Sequence, residues 1–144
     1  MNYFEECESI GDKLFLTWAN QTKYFKKMER QPLLSRVDWI CKDSKGNVIN
    51  CELKVRQSLK FDSIFIEPGK YANLIRLYKE KGIIPLYLNF SGNECIAFDL
   101  RRCRVYDVGE VRIWDGSNKC YQLVNRYSIP TSDGVRYVDG IKII

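Results

Sequence analysis

The most constraining feature of this chain is a two-residue alternation from Ile49 to Arg56, preceded by a shorter one from Val37 to Cys41. Ile49, Cys51, Leu53 and Val55 fall on one side of an extended chain, while Asn50, Glu52, Lys54 and Arg56 fall on the other. Val37, Trp39 and Cys41 repeat the apolar half of that pattern upstream. Between the two runs lies a polar loop, Asp43 to Asn47, with Gly46 where a tight turn needs a left-handed residue. The pattern predicts a β-hairpin, and parity selects its register. A three-residue loop, Ser44-Lys45-Gly46, built as a type I turn with a G1 bulge, keeps Val37, Trp39 and Cys41 on the face of Cys51, Leu53 and Val55. The same loop sets Asp38 opposite Glu52. A two-residue loop would turn Asp38 to the other face.

The rest of the chain reads as α/β. Phe4, Cys7, Gly11, Leu14 and Trp18 recur at helical spacing, with Ile10 and Phe15 on the same stripe. Glu5, Glu6, Glu8 and Asp12 crowd the first turns, where the helix dipole favours negative charge. The basic stretch from Lys23 to Arg30 predicts a short charged strand that ends at Pro32, and Phe61 to Ile66 is a further extended piece. Tyr71, Leu74, Ile75 and Tyr78 mark a second helix, closed by Lys79, Lys81 and Gly82. The nearly unbroken apolar run from Ile83 to Phe90 predicts a strand buried on both faces. Beyond it come a strand over Cys95 to Leu100 and short strands with turns at Asp115-Gly116, Ser132-Asp133-Gly134 and Asp139-Gly140. The expected architecture is a single domain over 1–144. It has an αβββαβ core in 1–90, with a mixed sheet flanked by helices and a right-handed crossover into the Ile83 strand. A β-rich C-terminal extension fills 91–144.

Composition limits the chemistry. The chain contains no histidine, which excludes Ser-His-Asp and Cys-His nucleophiles, histidine-bound zinc and imidazole bases. The six cysteines include no CxxC pair and read as small buried apolar groups rather than a disulfide framework. A net charge of +5 suits an anionic partner. No apolar run approaches the ~20 residues of a membrane helix, and the start lacks a secretory pattern, so a cytoplasmic location without membrane contact is expected. What remains is the polar face of the hairpin. Two carboxylates, Asp38 and Glu52, with Cβ atoms ~4.5–5.5 Å apart, suit a hard cation such as Mg²⁺, which binds through one or two carboxylates and keeps several waters. Lys54 projects from the face of Glu52, in position to orient a water. These are the parts of a metal-assisted phosphodiesterase. The plainer reading is a solvated outer face on which Asp38 pairs with Lys54.

Asp38, thirteen intervening residues, and then Glu52-Leu53-Lys54 on a hairpin between two helices resembles the PD-(D/E)XK nuclease superfamily. Arg36-Val37-Asp38-Trp39-Ile40 and Cys51-Glu52-Leu53-Lys54-Val55-Arg56 are similar to the core of Holliday-junction-resolvase-like and phage-encoded members. The helix over Lys70 to Lys81 and the strand over Ile83 to Asn89 stand where that restriction-endonuclease-like core needs them. The resemblance implies a Mg²⁺- or Mn²⁺-dependent DNA endonuclease. Asp38 and Glu52 would bind metal, the Leu53 carbonyl would be a further ligand, and Lys54 would position the attacking water. It covers roughly residues 1–90. Val37 replaces the name-giving proline, and Phe15 stands where many members carry a helix glutamate four residues after a glycine. Glu8 is the substitute candidate for that ligand, ahead of Glu5 and Asp12. Arg56, Gln57, Lys60 and Lys70 are candidate contacts to a phosphate backbone. DNA is the expected partner, and a homodimer would let two sites cut both strands. The alternative is a catalytically inactive nucleic-acid-binding or structural module on the same fold, suggested by Phe15.

Overall fold

A computed structural model describes the backbone of residues 3–32 and 35–143, and the side chains from Ser9 onward within those ranges. Helix α1 (Tyr3–Thr22) is followed by strands β1 (Lys27–Arg30), β2 (Trp39–Lys42), β3 (Val48–Val55) and β4 (Ser63–Ile66). Helix α2 (Pro68–Lys81) leads into β5 (Ile84–Ser91) and β6 (Glu94–Asp99). A long hairpin, β7 (Tyr106–Asp115) and β8 (Cys120–Pro130), precedes the short strands β9 (Val135–Val138) and β10 (Ile141–Lys142).

Seven strands form one mixed sheet in the order β1-β2-β3-β5-β6-β9-β10, and β4-β8-β7 form a second sheet. The β2–β3 hairpin takes the register that parity selects, pairing Trp39 with Cys51 and Cys41 with Ile49. Its loop is held by the Gly46 N–H donating to the Asp43 carbonyl at 3.1 Å, with Gly46 at φ +82°. β3 and β5 run parallel, joined through β4 and α2. Helix α2 ends as its sequence predicts: Gly82 is left-handed, and its N–H donates to the Tyr78 carbonyl.

The two faces of the large sheet are both covered. Phe15, Trp18 and Ala19 of α1 pack on Trp39, Cys41, Cys51 and Leu88. On the opposite face Leu74 of α2 joins Tyr87 and Phe98 of the large sheet and Ile64, Ile66 and Ile129 of the small one. Strand β5 is buried on both sides, as its apolar run requires. Cys41, Cys51 and Cys95 are buried free thiols as expected, whereas Cys103 is half-buried and Cys120, on the β7–β8 hairpin, is exposed. Among the described residues no helix is long and apolar enough to cross a membrane.

Three expectations change. The polar hairpin face is not a solvated surface: Asn50 and Glu52 are buried beneath α2 and the small sheet. Those covering elements are distant in sequence, so alternation reveals the two faces but not what covers them. Val37 joins the α2-side cluster rather than the face of Trp39, because β2 begins only at Trp39 and the chain bends before it. Ile10 is exposed, and the buried stripe of α1 runs through Gly11, Phe15, Trp18 and Ala19. The C-terminal third completes both sheets, with β6, β9 and β10 extending the large one and β7–β8 capturing β4.

Candidate active site

The site lies at the end of β3, and backbone geometry builds it. The β2–β3 ladder ends at Trp39 and Cys51, and the bend before it leaves Asp38 beside the start of β2, close enough for its charge to act on Glu52. Two hydrogen bonds fix Asp38 there: its N–H donates to the Cys51 carbonyl at 3.2 Å, and its Oδ2 accepts the Leu53 N–H at 2.8 Å. Burial raises the Asp38 pKa, opposed by the Leu53 N–H and by the charges of Lys70 and Arg30. Glu52 is almost fully buried. Burial raises its carboxyl to about 7, with Lys70 opposing that shift and Asp38 adding to it.

Lys70 reaches down from the first turn of α2, where the dipole disfavours a cation, and its Nζ lies 2.9 Å from Glu52 Oε1. A second carboxylate, Glu67, stands 3.8 Å away. Burial works against the Lys70 ammonium, but Glu52, Glu67 and Asp38 together outweigh it and the pKa is raised. Lys54 is exposed to a cleft whose walls partly strip it of water. That desolvation lowers its pKa, with Arg56, Lys70 and Arg126 adding repulsion and Glu67 opposing.

Arg56 is engaged by the protein itself. Its Nε donates to Asn89 Oδ1 at 2.7 Å, and its Nη2 donates to the Phe65 carbonyl at 2.6 Å and the Tyr87 hydroxyl at 3.0 Å. This clamp ties β3 to β5 and to β4. Gln57 is exposed on the cleft wall, whereas Lys60 is exposed outside it. Phe15 is fully buried, with its ring 4.8 Å from Trp39, and faces no solvent or ligand. The next acidic residue on α1, Asp12, accepts the Trp39 indole N–H at 3.0 Å and pairs with Arg30 at 3.0 Å. It thereby braces the start of β2. The side chains of Glu5 and Glu8 lie outside the described residues.

A cleft of about 570 Å³ runs between this site and the β7–β8 hairpin, with Asp38, Lys54 and Gln57 on one wall and Ile113, Gln122 and Arg126 on the other. Sequence reasoning did not find Glu67 and Arg126. Glu67 directly precedes Pro68, the first residue of α2, and that position was the one local signal available. Arg126 had none, since only tertiary pairing brings β8 to the cleft.

The neighbouring carboxyls of Asp38 and Glu52, both raised by burial, offer oxygen donors whose charge a bound cation would offset, which suits a hard divalent ion. Among the described residues no group of three or more acidic or cysteine side chains could hold a metal. The chain matches no family model and no curated protein. In architecture it is similar to Hjc, a Holliday junction resolvase from the archaeal hyperthermophile Archaeoglobus fulgidus, with a TM-score of 0.56 and 11% identity over 88% of this chain and 90% of that one. At that identity the likeness shows the fold: a mixed α/β architecture shared with a resolvase.

Proposed function

We propose that this protein is a metal-dependent DNA endonuclease that hydrolyses phosphodiester bonds at the Asp38–Glu52–Lys54 site. The observation that carries the reading is the backbone around Asp38, whose N–H donates to the Cys51 carbonyl and whose carboxylate accepts the Leu53 N–H, holding it near Glu52. The resolvase-like architecture supports it. Asp38, Glu52 and the Leu53 carbonyl would hold Mg²⁺ or Mn²⁺, which when bound supplies Lewis acidity toward a phosphate oxygen and toward water. The chain's own groups do the rest. Lys54 donates to the attacking water and aligns it with the phosphorus, and its ammonium offsets charge that develops on the phosphoryl oxygens. Attack is in line and forms no covalent bond to the protein. Lys70 holds Glu52 in place and compensates its buried charge, and the Arg56 clamp fixes the strand that presents Lys54.

The test is cleavage of plasmid, linear, single-stranded and four-way-junction DNA in Mg²⁺ or Mn²⁺, with Asp38→Ala run beside the wild type. Cutting by the wild type alone supports the reading. Silence on every substrate, or equal cutting by both proteins, refutes it. The Lys70–Glu52 ion pair favours one second reading, a nucleic-acid-binding module without catalysis. That reading requires DNA binding that weakens steeply with salt and is unaccompanied by cleavage.

A further inference from the structure

The β7–β8 hairpin lies outside the elements that build the candidate site, yet it supplies the cleft's second wall. Cross-strand pairing sorts its side chains into two faces. Arg112 and Trp114 sit opposite Leu123 and Tyr121 on the outer face, where Trp114, Tyr121 and Leu123 are exposed. Val111 and Ile113 sit opposite Val124 and Gln122 on the other, and Ile113, Gln122, Val124 and Arg126 line the cleft.

Arg126 lines the same small cavity as Glu52, Lys54 and Lys70, and only 18% of its side chain is exposed. Its partner across the ladder is Gly109, so the directly paired β7 residue has no side chain to lay over it. Among the described residues its guanidinium meets the carbonyl of its neighbour Asn125 at 2.9 Å and, loosely, Glu67 at 4.0 Å. Five N–H donors therefore have little to do. Of the other cations here, Arg56 is committed to Asn89, Tyr87 and the Phe65 carbonyl, and Lys70 to Glu52, while Lys54 is the group assigned above to the attacking water. Burying a planar, permanently charged fork beside an ion-pair cluster is costly unless an anion completes it, and a phosphodiester matches the fork.

We propose that Arg126 holds a backbone phosphate of the DNA strand lying in the cleft, so that the hairpin, and not the nuclease-like core alone, sets the strand's position against Lys54. The inference rests on the cleft being a phosphodiester site, as in the reading above. Arg126 is the substrate-holding group, and Glu67 keeps its side chain directed into the cavity while the cleft is empty.

The test is fluorescence anisotropy of a labelled single-stranded and a labelled duplex oligonucleotide in Ca²⁺, over a series of salt concentrations. Cleavage of the same DNAs in Mg²⁺ is measured in parallel, and thermal melts check folding. Arg126→Ala should weaken binding roughly ten- to hundredfold, as expected for losing a charge-assisted contact. The slope of log K against log salt should become shallower by about 0.7–0.9, the value of one phosphate. Arg126→Lys should recover the slope and only part of the affinity, because it keeps the charge and loses the fork. A role confined to the Glu67 contact would make Glu67→Gln reproduce the Arg126→Ala loss with the slope unchanged, which would overturn the proposal. Failure of the wild type to bind either DNA would overturn it as well. Normal binding and cutting by Arg126→Ala refutes this inference while leaving the nuclease reading intact. Arg126-dependent binding without any cutting refutes the nuclease reading and sustains this one.

Discussion

Glu52 concentrates the electrostatics of the candidate site in one side chain. Burial lifts its pKa from 4.5 to about 7 despite the Lys70 ammonium 2.9 Å away. A carboxyl raised on folding binds its proton more tightly in the native state, so stability falls as pH rises between those two values. The metal-free protein should lose roughly 3 kcal/mol from this group between about pH 4.5 and 7. Thermal melts across that range should show the loss in the wild type and a much flatter profile in Glu52→Gln; equal slopes would contradict the assignment. Phe15 makes the opposite point. The nuclease resemblance would call for a helix glutamate at its position, yet Phe15 is sealed between Trp39 and Phe25. Phe15→Glu should therefore fail to add a metal ligand and should destabilise the fold by about 3–5 kcal/mol, since it deletes a core ring and buries a charge. Denaturant titration reads the result, and a stable variant with stronger Mn²⁺ binding would show that Phe15 had been misplaced. That Trp39 pairs with Cys51 was legible in the sequence because one parity rule decides it, whereas the bend that takes Val37 and Asp38 off that register was not. That Arg56 is a clamp was not, because Asn89, Tyr87 and Phe65 reach it through strand pairing that no local pattern encodes.

Among the elements, the β2–β3 hairpin carries the site and depends on its loop. Gly46 has a φ of +82° with open space around its Cβ position, so Gly46→Ala adds backbone strain without a clash. The expected cost is about 1 kcal/mol in a denaturation midpoint, with the fold retained. Gly134 differs: a Cβ there would stand 2.5 Å from Ile96 Cγ2 and 2.8 Å from the Phe98 ring, so Gly134→Ala forces repacking of the core against β6. The cost should reach about 1–3 kcal/mol. A Gly134 variant that melts like the wild type would show that β9 is looser than its pairing with β6 implies. Both helices were legible from their long apolar periodicity, α2 also from Lys79, Lys81 and Gly82 at its end, and strand β5 from its unbroken apolar run. Strand β4 was legible as extended chain only. Its partner is β8, more than sixty residues later, and nothing within Ser63–Ile66 distinguishes that sheet from the larger one.

Over the whole molecule, the two sheets meet around one buried cluster and leave between them the cleft that exposes Lys54 and Asp38. The C-terminal third, opaque in sequence because its strands are short and its turn signals generic, proves to be half of that cleft. Its hairpin also explains why the polar face of β3 keeps charged residues while buried: the face is covered but opens on one side to solvent. The account stands or falls on Asp38 and Lys54 having separable duties at that opening. The most direct test is calorimetric titration of Mn²⁺ into wild type, Asp38→Ala and Lys54→Ala, with each protein then assayed for DNA cleavage and checked for folding by circular dichroism. The account expects Asp38→Ala to lose both Mn²⁺ binding and cleavage, and Lys54→Ala to keep Mn²⁺ binding while cleavage falls by roughly a hundredfold or more. Mn²⁺ binding unaffected by Asp38→Ala, or cleavage unaffected by Lys54→Ala, would contradict it.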